Sequence, residues 1–336
     1  MRIAIIGGGA AGMMAATTVN EANPQDEVFL LEKNPELGKK VIISGGGRCN
    51  VTTGIENVSE VIKKYPRGGK FLQSAMYNFS PTDVRTWFEG HNVPLKCEDD
   101  NRVFPVSDDG HDIVSAFKKI FDKYHTHVMY KCAVTEIEKN NNEFIVKSES
   151  REPLHVDRVV LALGGQAYRH TGSTGDGYSL AEKFGHTITA LAPSLSSFMI
   201  AEKWIKPLAG VSFLKATITA NGLQKQKFTG PFLFTHIGIS GPAVFALSAL
   251  VAFESIGTKK SLPITIDMLP DKTAASLLAD FQINMQLSPK KSFKNTFHHY
   301  IPLSLAEAIC TELKIALDQK NSETSKQTIL KAINHT

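Results

Sequence analysis

The sequence predicts an α/β chain whose first half is built on a parallel sheet, and three observations carry that expectation. A β-branched, apolar run, Arg2–Ile6, opens the chain and stops abruptly at glycines. A helix-compatible stretch, 10–21, begins inside the glycine cluster. Strand-like and helix-like segments then alternate up to about residue 190, as βαβ units require.

The further strand candidates of this first part are 27–32, Glu143–Ser148 and 158–163. The further helix candidates are 81–89, 113–124 and 177–184; Ser80 can cap the first of these and Pro81 suits its first turn. From about 191 the pattern changes. Leu214, Ala216, Ile218 and Ala220 alternate, and 224–229, 232–235 and 262–267 are short strand candidates, with Asn221 and Gly222 as a turn. From about 270 apolar residues recur at helical spacing in 273–285, 303–317 and 323–333. Three segments are expected: a first domain over 1–190, a β-rich, barrel-like module over 191–268 and a helical module over 269–336.

Composition supports a globular chain and little else. Of 336 residues, 42% are hydrophobic and 21% charged, and the formal net charge is +4, which suits an anionic ligand without demanding nucleic acid. Cys49, Cys97, Cys132 and Cys310 form no C-x-x-C pair, so reduced thiols are expected, with no metal site or disulfide framework. The apolar N-terminus runs straight into glycine and lacks a basic leader, and the apolar stretch 242–253 is too short to cross a bilayer. The expected setting is the cytoplasm, with no membrane partner.

Gly7, Gly9 and Gly12 match G-x-G-x-x-G, which is weak alone and gains weight from the strand before it and the helix after it. Gly7 and Gly9 permit a tight turn and close approach of a pyrophosphate, Ala11 lies in the first helical turn, and Gly12 lets helix and strand pack closely. Glu32 follows at the end of the second strand, where a carboxylate accepts from ribose hydroxyls and repels a 2′-phosphate. The expected fold is a Rossmann-like dinucleotide-binding domain. FAD is favoured over NAD by what comes next: Lys33, Lys39 and a loop containing Ser44, Gly45, Gly46, Gly47, Arg48 and Asn50. Such a loop offers backbone N–H groups to a phosphate or a flavin edge, and Arg48 offers charge; the bland alternative is a surface loop.

The run from Gly38 through Ser44, Gly45, Gly46, Gly47, Arg48, Cys49 and Asn50 to Thr52 resembles the signature of the YhiN-like flavoproteins, the aminoacetone oxidase family of FAD-binding enzymes. Three further segments agree. The stretch from Asn101 to Ser107 is similar to G-R-V-F-P-x-S, with Asn101 in the glycine's place. The stretch from Gly164 to Tyr178 is similar to G-G-x-S-Y-P-x-T-G-x-T-G-D-G-Y, with Ala167 and Arg169 replacing Ser and Pro. The stretch from Phe234 to Ala243 is similar to F-T-H-x-G-x-S-G-P-A. The resemblance implies an FAD domain carrying a β-barrel-like and a helical insertion. It implies FAD contacts at Ala11, Glu32, Lys33, Lys39, Ser44, Gly45, Gly46, Asn50 and Val134, and a second flavoprotein turn at Ala162, Leu163 and Gly164, where Leu163 stands in place of Thr. It also implies a return of the chain to the FAD domain after the helical insertion. No such return is present in these 336 residues, so a truncated product is the expectation.

Three side chains are candidates for catalysis: His236 as a proton donor, Cys49 near the flavin, and Tyr168 as a cover for the ring. Each has a plain structural alternative, a backbone hydrogen bond for His236 and packing for the other two. Asp176 either orders the flavin-side turn or caps the helix after it. The leading functional expectation is a flavin-dependent oxidoreductase that takes hydride from NADH or NADPH, bound transiently, and passes it to a small unsaturated substrate or to oxygen. A second reading is reduction of an RNA base, motivated by Lys63, Lys64, Arg67 and Lys70 and by Lys290, Lys291 and Lys294. A third is a non-catalytic remnant with impaired FAD binding.

Overall fold

A computed structural model describes residues 1–257 and 260–334, in two compact units, Met1–Thr189 and Ala190–Thr336.

The first unit begins β1 Arg2–Ile6, α1 Ala10–Ala22, β2 Glu27–Leu31 and α2 Lys39–Ile43. An excursion follows: β3 Thr52–Thr53, α3 Val58–Lys63, α4 Gly69–Asn78, α5 Pro81–Gly90, β4 Leu95–Cys97 and β5 Arg102–Pro105. The chain returns through α6 Gly110–Lys123 and β6 His127–Met129. It then adds the hairpins β7 Val134–Asn140, β8 Glu143–Ser148 and β9 Arg151–Val156, and closes with β10 Arg158–Leu161 and α7 Asp176–Lys183. The main sheet has the order β10-β1-β2-β6, and every pairing in it is parallel. Strands 7 to 9 form a separate antiparallel sheet, as do β3, β5 and β4.

Period-two alternation makes β1 and β2 two-sided. Ile3, Ile5, Val28 and Leu30 enter the core under α1 and α6, together with Met13, Ala16 and Phe117. Ala4, Ile6, Phe29 and Leu31 enter the opposite core with Val146, Val156 and Leu180. A parallel sheet covered on both faces needs such continuous apolar runs. Ser80 caps α5 as anticipated: its hydroxyl accepts from the Asp83 N–H, and the Asp83 carboxylate accepts from the Ser80 N–H at 2.7 Å.

The second unit contains β11 Phe198–Met199, β12 Ser212–Asn221, β13 Lys225–Thr235, β14 Gly238–Ser240, α8 Pro242–Leu250, β15 Ile264–Asp267 and helices α9 Ala274–Leu287, α10 Phe293–Phe297, α11 Leu303–Glu312 and α12 Lys326–Ile333. The module expected to be barrel-like is an open sheet of order β11-β14-β13-β12-β15, with β11 and β15 at its edges. The sheet and the helices share one core: Phe232, Phe234, Ile218 and Leu247 cluster with Phe281, Phe293, Phe297 and Ile309. The segments 191–268 and 269–336 therefore pack as one body rather than as separate modules. No helix among the described residues is long and apolar enough to cross a membrane.

Candidate functional site: a dinucleotide cradle

A cavity of about 520 Å³ opens in the first unit at the carboxyl ends of β1 and β2. That is where open α/β sheets bind ligands.

Its floor is the glycine turn. Gly7 has φ +109°, and its N–H donates to Leu31 O at 2.8 Å. A Cβ on Gly7 would lie 2.5 Å from the carbonyl oxygen of Ala162, and one on Gly12 would collide with the carbonyl oxygen of Gly7. These two glycines are needed for packing. Gly9 differs: it has ordinary backbone angles, φ −81° and ψ −170°, and a Cβ there would meet nothing within 4 Å. Gly9 is also the N-cap of α1 and has no capping side chain. Space at Gly9, with the uncapped N–H groups of α1 at the same place, forms a cradle that a pyrophosphate fits.

Glu32 is buried beside this turn. Its Oε2 accepts from the Gly8 N–H at 2.7 Å, and its Oε1 accepts from the Asn34 N–H at 2.8 Å and Nδ2 at 2.7 Å. The backbone of Glu32 donates to Met129 O and accepts from Cys132 N–H, both at 2.9 Å, which leads β7 and Val134 to the same cavity.

The roof is the segment 164–176. Lys33 Nζ donates to Thr174 Oγ1 and Asp176 Oδ2, both at 2.6 Å. Lys40 Nζ donates to Ala167 O at 2.8 Å and Ser173 Oγ at 2.6 Å, and Asn34 Nδ2 to Thr171 O at 3.2 Å. Asp176 is the first residue of α7, whose N-cap is Gly175, so its carboxylate straps the roof instead of capping the helix. The Lys33 hydrogen bond holds the Asp176 carboxyl below its ordinary range. Lys40 and Ser173 fall inside two of the family-like segments without having been singled out, and Asn34 lies outside any motif.

The loop after α2 is strained for a purpose visible in its dihedrals. Gly45, Gly46 and Gly47 have φ of +57°, +75° and +93°, and Cys49 has φ +59°. Gly45 packs against Phe104 and the Asn50 backbone. This winding turns Ser44, Cys49 and Asn50 to the cavity with Lys39.

The structure thus gathers Gly7, Gly9, Ala11, Glu32, Lys33, Lys39, Ser44, Asn50, Val134, Ala162, Gly164 and Asp176 around one cavity. Gly12, Gly45 and Gly46 are not in its lining; Gly12 packs against the Gly7 carbonyl, Gly45 against Phe104, and Gly46 faces open space. Arg48 departs from expectation: its guanidinium donates to Glu98 at 2.6 Å and lies 3.8 Å from the Phe104 ring centroid, so it braces the loop. Of the three catalytic candidates only Cys49 lines the cavity, and burial pushes its thiol pKa up, which disfavours the nucleophilic thiolate. Tyr168 is 66% exposed and edge-on to His170, outside the lining. His236 belongs to the second unit, exposed in the turn between β13 and β14. Among the described residues there is no cluster of three or more His, Cys, Asp or Glu able to hold a metal.

Residues 1–286 match the HI0933-like protein Rossmann domain family. The chain belongs to that family. HI0933-like flavoproteins are FAD-dependent oxidoreductases, and this chain is one of them. It is 26% identical over 341 residues to 3-dehydro-bile acid delta(4,6)-reductase of Clostridium scindens, covering 98% of this chain and 82% of that protein. It is 28% identical over 330 residues to the ribosomal RNA dihydrouridine synthase of Haemophilus influenzae, covering 96% and 77%. Among solved structures, the open conformation of a flavocytochrome c3 fumarate reductase superposes with a TM-score of 0.47 at 19% identity, over 63% of this chain and 46% of that one.

Proposed function

We propose that this HI0933-like flavoprotein reduces a carbon–carbon double bond conjugated to a carbonyl, using NADH or NADPH as donor. The observation that carries the cofactor part is Gly9, where the start of α1 faces open space. The substrate class is supported by what two differently named relatives share. A 3-oxo steroid with a Δ4 bond and a uracil ring both present an alkene next to a carbonyl.

In this reading the N–H groups at the start of α1 hold the pyrophosphate, and Glu32 presents its one remaining lone pair, on Oε2, to a ribose hydroxyl. Lys39 adds charge at the phosphates. Ser44 and Asn50 orient the ring edge. FAD, when bound, supplies the hydride transfer.

The test is direct. The purified chain should show visible flavin absorbance that NADH bleaches without oxygen. A 4-en-3-one steroid should then restore it faster than buffer alone. A colourless protein, or colour that NADH leaves untouched, sinks the proposal. Restoration only by oxygen would make oxygen the acceptor.

A second acceptor, a uracil base in RNA, is favoured by the dihydrouridine synthase likeness and by the exposed lysines of α3 and α4. Formation of dihydrouridine in transcripts incubated with protein and NADPH would decide between the two.

A further inference from the structure

The excursion between β3 and α5 carries a surface that the cradle does not use. Helix α4 has no buried residue. Its inner side is Gly69, Leu72 and Met76, half-buried at helical spacing. The opposite side presents Lys70, Phe71, Ser74 and Tyr77. Phe71 is 87% exposed and Tyr77 57%, and Tyr65, in the turn before α4, is 41% exposed. Lys63 and Lys64 end α3 beside them; neither they nor Lys70 has an ion-pair partner among the described residues. A single exposed aromatic needs no explanation. Three rings interleaved with three unpaired ammonium groups do.

We propose that α3 and α4 form a platform for a single-stranded RNA segment, with bases stacked on Phe71 and Tyr65 and phosphates at Lys63, Lys64 and Lys70. This deepens the second acceptor reading and rests on it for the identity of the strand. Rings that stack on any base, set among cations, are how sequence-tolerant strand binding works. A lipid surface fits poorly: the continuous apolar stripe of α4, Leu72 and Met76, faces inward, and Ser74 and Asn78 interrupt the outer face. The position is also apt. The chain leaves the cavity lining at Asn50 and Val51 and rejoins it at Val84 in α5, so the platform is the loop between two walls of the site.

Fluorescence anisotropy of a labelled, uridine-rich single-stranded RNA tests this with the full chain. Phe71→Ala should weaken binding roughly tenfold and Phe71→Trp should preserve it. Replacing Lys63, Lys64 and Lys70 together by Ala should lower the slope of log affinity against log salt by about 2. Unchanged flavin absorbance and circular dichroism would show that these variants fold. RNA binding that ignores Phe71, heparin binding with the same dependence on Phe71, or Phe71-dependent binding to phosphatidylserine vesicles would each overturn the platform. No RNA binding alongside steroid turnover would overturn it and leave the reductase standing. Phe71-dependent binding without dihydrouridine would support the platform and count against RNA as substrate.

Discussion

Lys33 Nζ lies 2.6 Å from Asp176 Oδ2, joining the end of the second strand to the first residue of a helix far along the chain. This pair, with Lys40 on Ser173 and Asn34 on Thr171, ties the roof to the cradle.

The pair gives an acid-sensitive contribution. The hydrogen bond from Lys33, then that from Thr174, lowers the Asp176 pKa from 3.8, against opposing desolvation. A lowered folded pKa means the stabilisation is complete above 3.8 and is lost as pH falls through the folded value. The carboxylate is 43% exposed. Its contribution is therefore about 0.5 kcal/mol, or ~1–2 °C of melting temperature. Melting curves of wild type and Asp176→Asn should differ by that much near neutrality and converge in acid. The variant should also release flavin several-fold faster, read as fluorescence regained in the filtrate.

Gly9 and Gly12 should respond oppositely to alanine. Gly12→Ala forces a methyl into the Gly7 carbonyl and should cost about 1–3 kcal/mol in thermal or urea unfolding. Gly9→Ala meets open space with compatible backbone angles, so unfolding should be unchanged or slightly improved. Bound flavin should nonetheless fall sharply. Retention of full flavin by Gly9→Ala would move the pyrophosphate elsewhere.

Thiol reactivity should follow burial. Cys97 is exposed and Cys49 is buried with a raised pKa. Iodoacetamide at pH 7.5 should label Cys97 first, with Cys49 labelled only on unfolding. Cys49→Ser should leave hydride transfer from NADH within about twofold; a larger loss would restore Cys49 as a catalytic residue.

His236→Gln should leave flavin content and bleaching by NADH intact, because His236 is exposed in the second unit and outside the cavity lining. A ~10²-fold fall in substrate reduction with flavin content unchanged would make His236 a general acid, and equal rates would remove it from the chemistry.

The parts legible in sequence were those set by local rules. The glycine turn, Glu32 and the strand Glu143–Ser148 all follow from spacing and alternation. Helix α2 was not foreseen, because its Val41, Ile42 and Ile43 favour extended backbone. Helix α4 has no fully buried residue, and its inward stripe of Leu72 and Met76 is too short to mark it. Strand β13 was expected as two strands broken at Gly230 and Pro231, yet it runs through, because an irregularity in β12 between Phe213 and Ala216 accommodates the break. Arg48 was given to a phosphate since nothing local reveals that Glu98 and Phe104 stand nearer. Pairings such as Lys33 with Asp176 belong to topology, which spacing does not encode.

The parallel pairing of β1 with β10 has a consequence in time. Ile3 aligns with Arg158, and the Gly7 turn is shaped against Ala162. During synthesis the glycine turn emerges first, and its neighbour strand and roof follow only when the chain has been extended to Asp176. Such distant pairing closes slowly. Until then the nascent chain displays a cofactor fingerprint without a cofactor site. The site cannot close around a ligand before residues up to Asp176 have been made, because Lys33 finds its partner only there.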